Sequence, residues 1–184
     1  MTIIFANAQD DDCQSMHKVW EGFNDAIVIE ITPQSHDWED MVDEAISKEE
    51  DTLIFLGHGT ENGLLFPDFS KGTYILHENN VNLIKAKNVI CCWCYAANFC
   101  EYNKLHAFAT SMFISNVNEA YDYGIYGYTQ DDINSNSKRF DCEINALLDD
   151  KVPLSEWTMR LGAHMDADNA IDMFNRQGLF YLEE

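Results

Sequence analysis

Few residues in this chain have the chemistry for covalent catalysis, and two of them occupy corresponding places. His58 follows the apolar run Leu53 to Leu56 in the stretch DTLIFLGHG and lies between Gly57 and Gly59. Cys94 closes a second apolar run, KNVICCWC from Lys87 to Cys94, ahead of Tyr95-Ala96-Ala97. Short continuous apolar runs bounded by charged or turn residues predict strands buried on both faces, as in a parallel sheet. Parallel neighbours would deliver His58 and Cys94 together to the carboxyl edge, where open α/β sheets hold their chemistry. A thiol and an imidazole meeting there form a nucleophile and its base. The thiol is only slightly ionised at neutral pH, so the imidazole helps generate the attacking thiolate and can then protonate a leaving amine. The pair points to peptide-bond hydrolysis by a cysteine.

Strand alternation separates the three clustered thiols. Cys91 and Cys92 lie inside the run and point to opposite faces, and cysteine is among the most buried residue types, so both read as core thiols. Cys94, at the strand end before a small-residue turn, is the candidate nucleophile; the alternative is a further core thiol. The glycines beside His58 argue for an exposed ring against a merely hydrogen-bonded loop histidine. His77, at the end of the next hairpin, is the second candidate base. His17, His36, His106 and His164 fall in helical or capping contexts and read as structural. Zinc is the rival chemistry, with Cys92 and Cys94 on one face beside His58. The C-x2-C spacing typical of zinc sites is missing, however, and a mid-strand thiol converges poorly, so no metal site is expected.

The elements that must position these groups follow from hydrophobic periodicity. Thr2 to Ala8 is the first strand and leads into an acidic turn at Asp10-Asp11-Asp12. A helix is expected over Gln14–Phe23, with Met16, Val19, Trp20 and Phe23 on one face, and a strand over Ala26–Ile31, closed by Thr32-Pro33. Asp37 is placed to cap a helix over Trp38–Lys48, and the strand ending at His58 follows. Five alternating elements in so short a span predict a parallel sheet with right-handed crossovers, an α/β three-layer sandwich. Leu64-Leu65-Phe66 and Thr73 to Leu76 read as a small hairpin off the main sheet, and Asn80–Ala86 as a short helix. Beyond Cys94 come a helix over Ala96–Leu105, a fifth strand over Ser111–Ser115 and an irregular aromatic stretch over Glu119–Tyr128. Helices are expected over Ser137–Leu148 and Leu154–His164, a last helical turn over Asn169–Asn175, and a closing strand over Leu179–Leu182. No repeat or linker divides residues 1–184, which read as one domain.

Composition restricts the partners. Eleven basic residues against 32 acidic ones give a net charge of −21, which disfavours nucleic acid and anionic membrane. A surface of this sign favours basic peptides or divalent cations, and also simply solubility. No apolar run approaches the ~20 residues of a membrane span. Thr2 to Ala6 is short, lacks a basic leader and meets Asp10-Asp11-Asp12 at once, so no signal peptide is expected. Three of the six cysteines crowd one strand, which suits reduced thiols in the cytoplasm better than a disulfide framework. No glycine-rich phosphate loop occurs.

The two strand-end motifs, Leu53-Ile54-Phe55-Leu56-Gly57-His58-Gly59 and Asn88-Val89-Ile90-Cys91-Cys92-Trp93-Cys94, resemble the His and Cys blocks of caspase-like cysteine peptidases. That superfamily includes caspases, metacaspases, legumains, gingipains, clostripain and separases. The resemblance covers roughly Thr2 to Tyr128. It implies a caspase-like sheet, a His58–Cys94 dyad without an acidic third member, and an oxyanion hole from the amides of Gly59 and Cys94. Gly59 suits that role because without a Cβ it would let a substrate carbonyl approach. Caspases that cut after aspartate carry a basic pocket residue just after the first strand, where this chain has Gln9 to Asp12. Readers of a basic P1 residue carry an Asp two positions before the nucleophile, where this chain has Cys92. The remaining acidic pocket candidates are Asp10, Asp12 and Glu119, the last in a loop from Ser115 that follows the expected fifth strand, and their sign favours Arg or Lys at P1. The implied partner is a peptide or protein substrate, with a homodimer or an activating protein as further expectations. No cofactor is implied, and calcium dependence is left open. The alternatives are an inactive or zymogen-like module of the same fold that binds partners, and a small-molecule hydrolase using the same dyad.

Overall fold

The computed structural model describes residues 1–183 and has a mixed six-stranded sheet at its centre. In chain order the elements begin with β1 (Thr2–Ala6), β2 (Ile27–Ile31), α1 (Trp38–Lys48) and β3 (Thr52–Leu56). A small antiparallel sheet of β4 (Gly59–Thr60), β5 (Gly63–Leu65) and β6 (Tyr74–Leu76) comes next, then β7 (Asn88–Cys92), α2 (Ala96–Tyr102) and β8 (Ala107–Thr110). The remainder comprises α3 (Val117–Asp122), α4 (Gln130–Asp149), α5 (Leu154–His164), α6 (Ala170–Gln177) and β9 (Leu179–Leu182). The strand order is β2-β1-β3-β7-β8-β9, parallel throughout except that β9 runs antiparallel to β8. This is the expected α/β architecture of a mostly parallel sheet between helices with a small hairpin sheet beside it.

Side-chain alternation along the central strands builds two separate cores. Ile4, Leu53, Phe55, Val89, Cys91, Ala107 and Ala109 face α1, α2 and the hairpin sheet. Ile3, Ile54, Leu56, Ile90, Cys92 and Phe108 face α4 and α5, packing on Phe140, Ile144, Leu147, Trp157 and Leu161. Covering both faces explains the unbroken apolar runs of β3 and β7, which show no polar alternation. No helix among the described residues is long and apolar enough to cross a membrane.

Several boundaries differ from expectation for local reasons. Residues 14–23 do not form an α-helix. Two 3-10 turns, Asp11–Cys13 and Met16–Trp20, take their place, closed by i→i+3 bonds such as Lys18 N to Ser15 O at 2.8 Å. The sheet face over this region is covered instead by α4, against which Val19 is buried. The fifth strand lies earlier than expected, at Ala107–Thr110, and residues 111–115 form the loop that follows it. The expected helix at Asn80–Ala86 shrinks to a 3-10 turn at Val81–Leu83. Glu119–Tyr128, expected to be irregular, contains the end of α3. α4 begins seven residues early, because Thr129 and Asp132 form a reciprocal capping box at its start. Asp37 stands at the N-cap of α1, yet its side chain caps nothing and its backbone is left-handed at φ 53°.

Candidate active site

β1 and β3 are hydrogen-bonded neighbours, so the loops that leave their carboxyl ends must lie against each other. Gly57 makes the approach possible. Its φ is +144°, and a Cβ there would sit 2.7 Å from both the Cβ and the carbonyl oxygen of Ala6, a separation no side chain tolerates. His58 therefore projects beside the β1 loop, where Asp10 meets it. One carboxylate oxygen of Asp10 accepts from the Cys13 amide at 3.1 Å, and the other lies 2.8 Å from His58 Nε2. A carboxylate only accepts, so Nε2 carries a proton, and in the neutral ring Nδ1 is the acceptor. The ring edge also rests on Phe69, with centroids 5.3 Å apart. We expect Gly57→Ala to lower the unfolding free energy by about 2–4 kcal/mol, from backbone strain and overpacking together. Urea midpoints measure this directly, and an unchanged midpoint would show that the Ala6 contact yields easily.

Cys94 lies two residues past β7, which ends at Cys92 and not at Cys94 as expected. Trp93 and Tyr95 hold the turn. The Trp93 carbonyl accepts from Thr110 Oγ1 at 2.8 Å, and Tyr95 adopts a left-handed conformation with φ 66° at the head of α2. The Cys94 thiol is half-buried and donates to the Phe113 carbonyl, with sulfur to oxygen 3.6 Å. Burial pushes this thiol up to about 11, and the carboxylates of Glu119 and Asp12 push it in the same direction. His58 and Cys94 line one cavity at the carboxyl edge of the two adjacent parallel strands. No hydrogen bond joins the sulfur to the ring among the described residues.

Gly59 is a glycine for a different reason from the one expected. A Cβ there would lie 2.0 Å from the Trp93 indole, so the missing Cβ makes room for that ring and not for a substrate. The indole is fixed in turn by its Nε1, which donates to Thr60 O at 3.1 Å. The Gly59 amide is nonetheless available. The Leu65 amide donates to His58 O at 2.9 Å, which makes Gly59 and Leu64 a non-hydrogen-bonded pair of the antiparallel ladder, their N–H groups pointing outward. The Cys94 amide likewise donates to no acceptor among the described residues.

The acidic pocket candidates separate clearly. Asp10 belongs to the histidine and not to the pocket. Asp12 and Ser115 line the cavity, and Asp12 accepts from Asn116 Nδ2 at 3.0 Å. Glu119 is consumed as a cap. Its carboxylate accepts from the Ser115 amide at 2.8 Å and closes a capping box with Asn116 at the start of α3. Cys92 lines the cavity wall, with its thiol pushed up by burial and by the neighbouring charge of Asp141. Asp141 is the residue the sequence reading missed. It sits on α4, is 7% exposed, lines the same cavity, and accepts from Ser15 Oγ. Burial raises its carboxyl to about 7. A signal was present: Asp141 lies on the apolar stripe of α4 between Phe140 and Ile144, where an acid needs a reason to be.

The other histidines stand apart from Cys94. His77 accepts from the Asn79 amide at 3.2 Å and opens onto a different depression with Tyr74 and Tyr102. His17, His106 and His164 pair with Gln14 O, Tyr181 and Glu143 respectively. The rival zinc set of Cys92, Cys94 and His58 is not the one whose donor atoms converge. Those of Asp10, Cys13 and His58 do, all within 4.8 Å of one another. Comparison of the chain with protein-family models, with curated proteins and with solved structures found no match.

Proposed function

We propose that this chain is a cysteine endopeptidase in which Cys94 is the nucleophile, His58 the base and Asp10 the group that orients it. The observation carrying this reading is the convergence of the His58 ring and the Cys94 thiol on one cavity at the carboxyl edge, with Asp10 fixing the ring. In the first half-reaction His58 Nδ1 takes the thiol proton and sulfur bonds to the scissile carbonyl carbon. The amides of Gly59 and Cys94 are the donors for the resulting oxyanion. The imidazolium then protonates the departing amine as the C–N bond breaks. A water deprotonated by Nδ1 hydrolyses the thioester and returns the thiol. Asp10 stabilises the imidazolium and keeps the proton on Nε2 throughout. The resemblance of the two strand-end motifs to caspase-like peptidases supports the same roles.

The cavity next to the nucleophile favours Arg or Lys at P1. Asp141 lies in its wall, deeply buried, with Ser15 as the single hydrogen-bond partner of its carboxylate among the described residues. The cavity has a volume of about 60 Å3. A lysine or arginine reaching Asp141 would supply the cation that the carboxylate lacks. The test is kcat/KM on matched fluorogenic peptides differing only at P1, among Arg, Lys, Asp, Asn and Leu. Arg and Lys peptides are expected to lead, and Asp141→Asn should reduce them about 30-fold, the equivalent of about 2 kcal/mol for an unpaired buried cation, while sparing the Leu peptide. A lead for Asp or Leu would refute the charge reading, and no turnover of any peptide would refute the endopeptidase as it stands.

One observation favours a second reading, a zymogen-like resting form. The Cys94 thiol is bonded to the Phe113 carbonyl and held protonated by burial, so attack requires the sulfur to leave that carbonyl. An activating partner or dimer that moves the loop of Phe113 would release it.

A further inference from the structure

We propose that Asp10, Cys13 and His58 form a zinc site whose occupancy removes the catalytic base. The metal site itself stands on geometry alone, and only its inhibitory consequence rests on the peptidase reading. The donor atoms are a carboxylate oxygen, a thiol sulfur and an imidazole nitrogen, all within 4.8 Å of one another. A tetrahedral zinc with bonds of about 2.0–2.3 Å sets its ligands roughly 3.3–3.8 Å apart. The Asp10–His58 separation of 2.8 Å must therefore open by about half an ångström, and the sulfur need close by no more than about one.

The fold sets the three side chains beside one another. Asp10 caps the 3-10 turn Asp11–Cys13, which sets Cys13 three residues along on the same side of the turn. The glycine contact between the β1 and β3 loops brings His58 to the same point. The Cys13 sulfur has only a long 3.8 Å contact to the Ala6 carbonyl, so a metal displaces no strong bond there. Asp10 and His58 keep 39% and 25% of their side-chain surface, which leaves an entry path and a fourth position for water. Nitrogen and sulfur donors select zinc over calcium and magnesium, which require oxygen. The net charge of −21 raises the local concentration of any divalent cation.

Proton balance explains the consequence. Zinc takes the place of one proton, lost from the Cys13 thiol to solvent, since a coordinating thiol is deprotonated outright. The His58 ring binds through Nε2, so its remaining proton moves to Nδ1. With Nδ1 protonated and Nε2 metallated, the ring has no lone pair for Cys94, and Asp10 no longer orients it. Zinc and the catalytic proton relay are mutually exclusive.

The experiment titrates Zn2+ into chelator-stripped full-length protein against a chromophoric competitor, then repeats the titration with Co2+. One metal per chain is expected, with the near-ultraviolet thiolate-to-cobalt absorption and the visible bands of a tetrahedral site. Cys13→Ala should abolish the thiolate band and weaken zinc at least tenfold, and Cys92→Ala should change neither. Should Cys13→Ala fail to fold, His58→Ala and Asp10→Asn must each weaken zinc by a similar factor. Binding that is unchanged by all three substitutions, or matched by Ca2+, would overturn the site and mark an unspecific acidic surface. Labelling of Cys94 by a thiol-reactive peptide probe should fall in step with zinc occupancy. A full zinc site with undiminished labelling would instead count against His58 as the base, leaving the metal site intact.

Discussion

Cys94→Ala abolishes labelling by a peptide-based electrophile and all peptide turnover, while Cys91→Ala and Cys92→Ala label as the parent does: this is the largest effect we expect. Cys91 and Cys92 are buried in opposite cores, and both thiols are pushed up by burial, so neither meets a substrate as a thiolate. Cys94 alone among the three is half-buried at the strand edge. His58→Ala should cost turnover comparably, because groups that act as one unit fail together. Asp10→Asn tests the orienting role more finely. Its amide can donate to Nε2 and stabilise the wrong tautomer, so kcat should fall by orders of magnitude with KM little changed. Mass spectrometry of the labelled peptide provides the readout. Equal labelling of the Cys94→Ala protein would remove the assignment.

A pH titration of Cys94 alkylation distinguishes a resting thiol from an activated one. With Cys94 pushed up to about 11, its alkylation rate in the free protein should rise about tenfold per pH unit through the neutral range and well beyond it. A plateau near neutrality would mean that the thiol is already ionised by its base.

The second large effect is on stability and has the opposite sign to most core substitutions. Asp141 has a folded value of about 7 against 3.8 for the unfolded chain, raised by burial. For an acid raised in this way the folded state holds its proton more tightly. Its contribution to stability is therefore greatest below about pH 4, falls as pH rises from about 4 to about 7, and stays low above that, opposite to the depressed carboxyls such as Glu49 and Asp132. Three pH units at 1.36 kcal/mol each put the full cost at about 4 kcal/mol, the order of magnitude expected for a buried charge with no cation. Asp141→Asn removes the charge at nearly constant shape. Its unfolding free energy should match the parent's near pH 4 and exceed it by about 2 kcal/mol or more at pH 8. Chemical denaturation at the two pH values decides it: parallel curves for parent and variant would mean that Asp141 is solvated after all. Such a cost beside the proposed nucleophile fits the role proposed for the carboxylate.

Much of the fold could be read directly because its signals are local. The apolar runs of β3 and β7 needed only their charged flanks, and α1 and α5 coincide with the expected Trp38–Lys48 and Leu154–His164 because periodicity and boundaries agree there. The segment after β1 differs from expectation because the spacing of Met16, Val19 and Trp20 fits an α-helical face as well as the 3-10 turn Met16–Trp20. What decided between these was α4, more than a hundred residues away. The position of β8 was lost to a similar ambiguity, since Phe108 and Phe113 both sit in plausible apolar runs. At the candidate site, the placement of His58 and Cys94 on one cavity was legible from the strand ends. The pairing of Asp10 with His58 was not, because it depends on a backbone contact between Gly57 and Ala6 that no spacing encodes. Asp141 was hidden for the same reason: which face of α4 meets the sheet edge is a tertiary fact.

The hydrogen bond from Cys94 to the Phe113 carbonyl has a further consequence for how long such a protein lasts. Peroxides attack thiolates far faster than thiols, so a sulfur parked as a hydrogen-bonded thiol resists conversion to sulfenic and sulfinic acids. Cys142, exposed on the outer side of α4, is the sulfur an oxidant reaches first. If Cys94 is the nucleophile proposed above, it is shielded from peroxide while it holds this bond and open to attack only once the sulfur leaves the carbonyl.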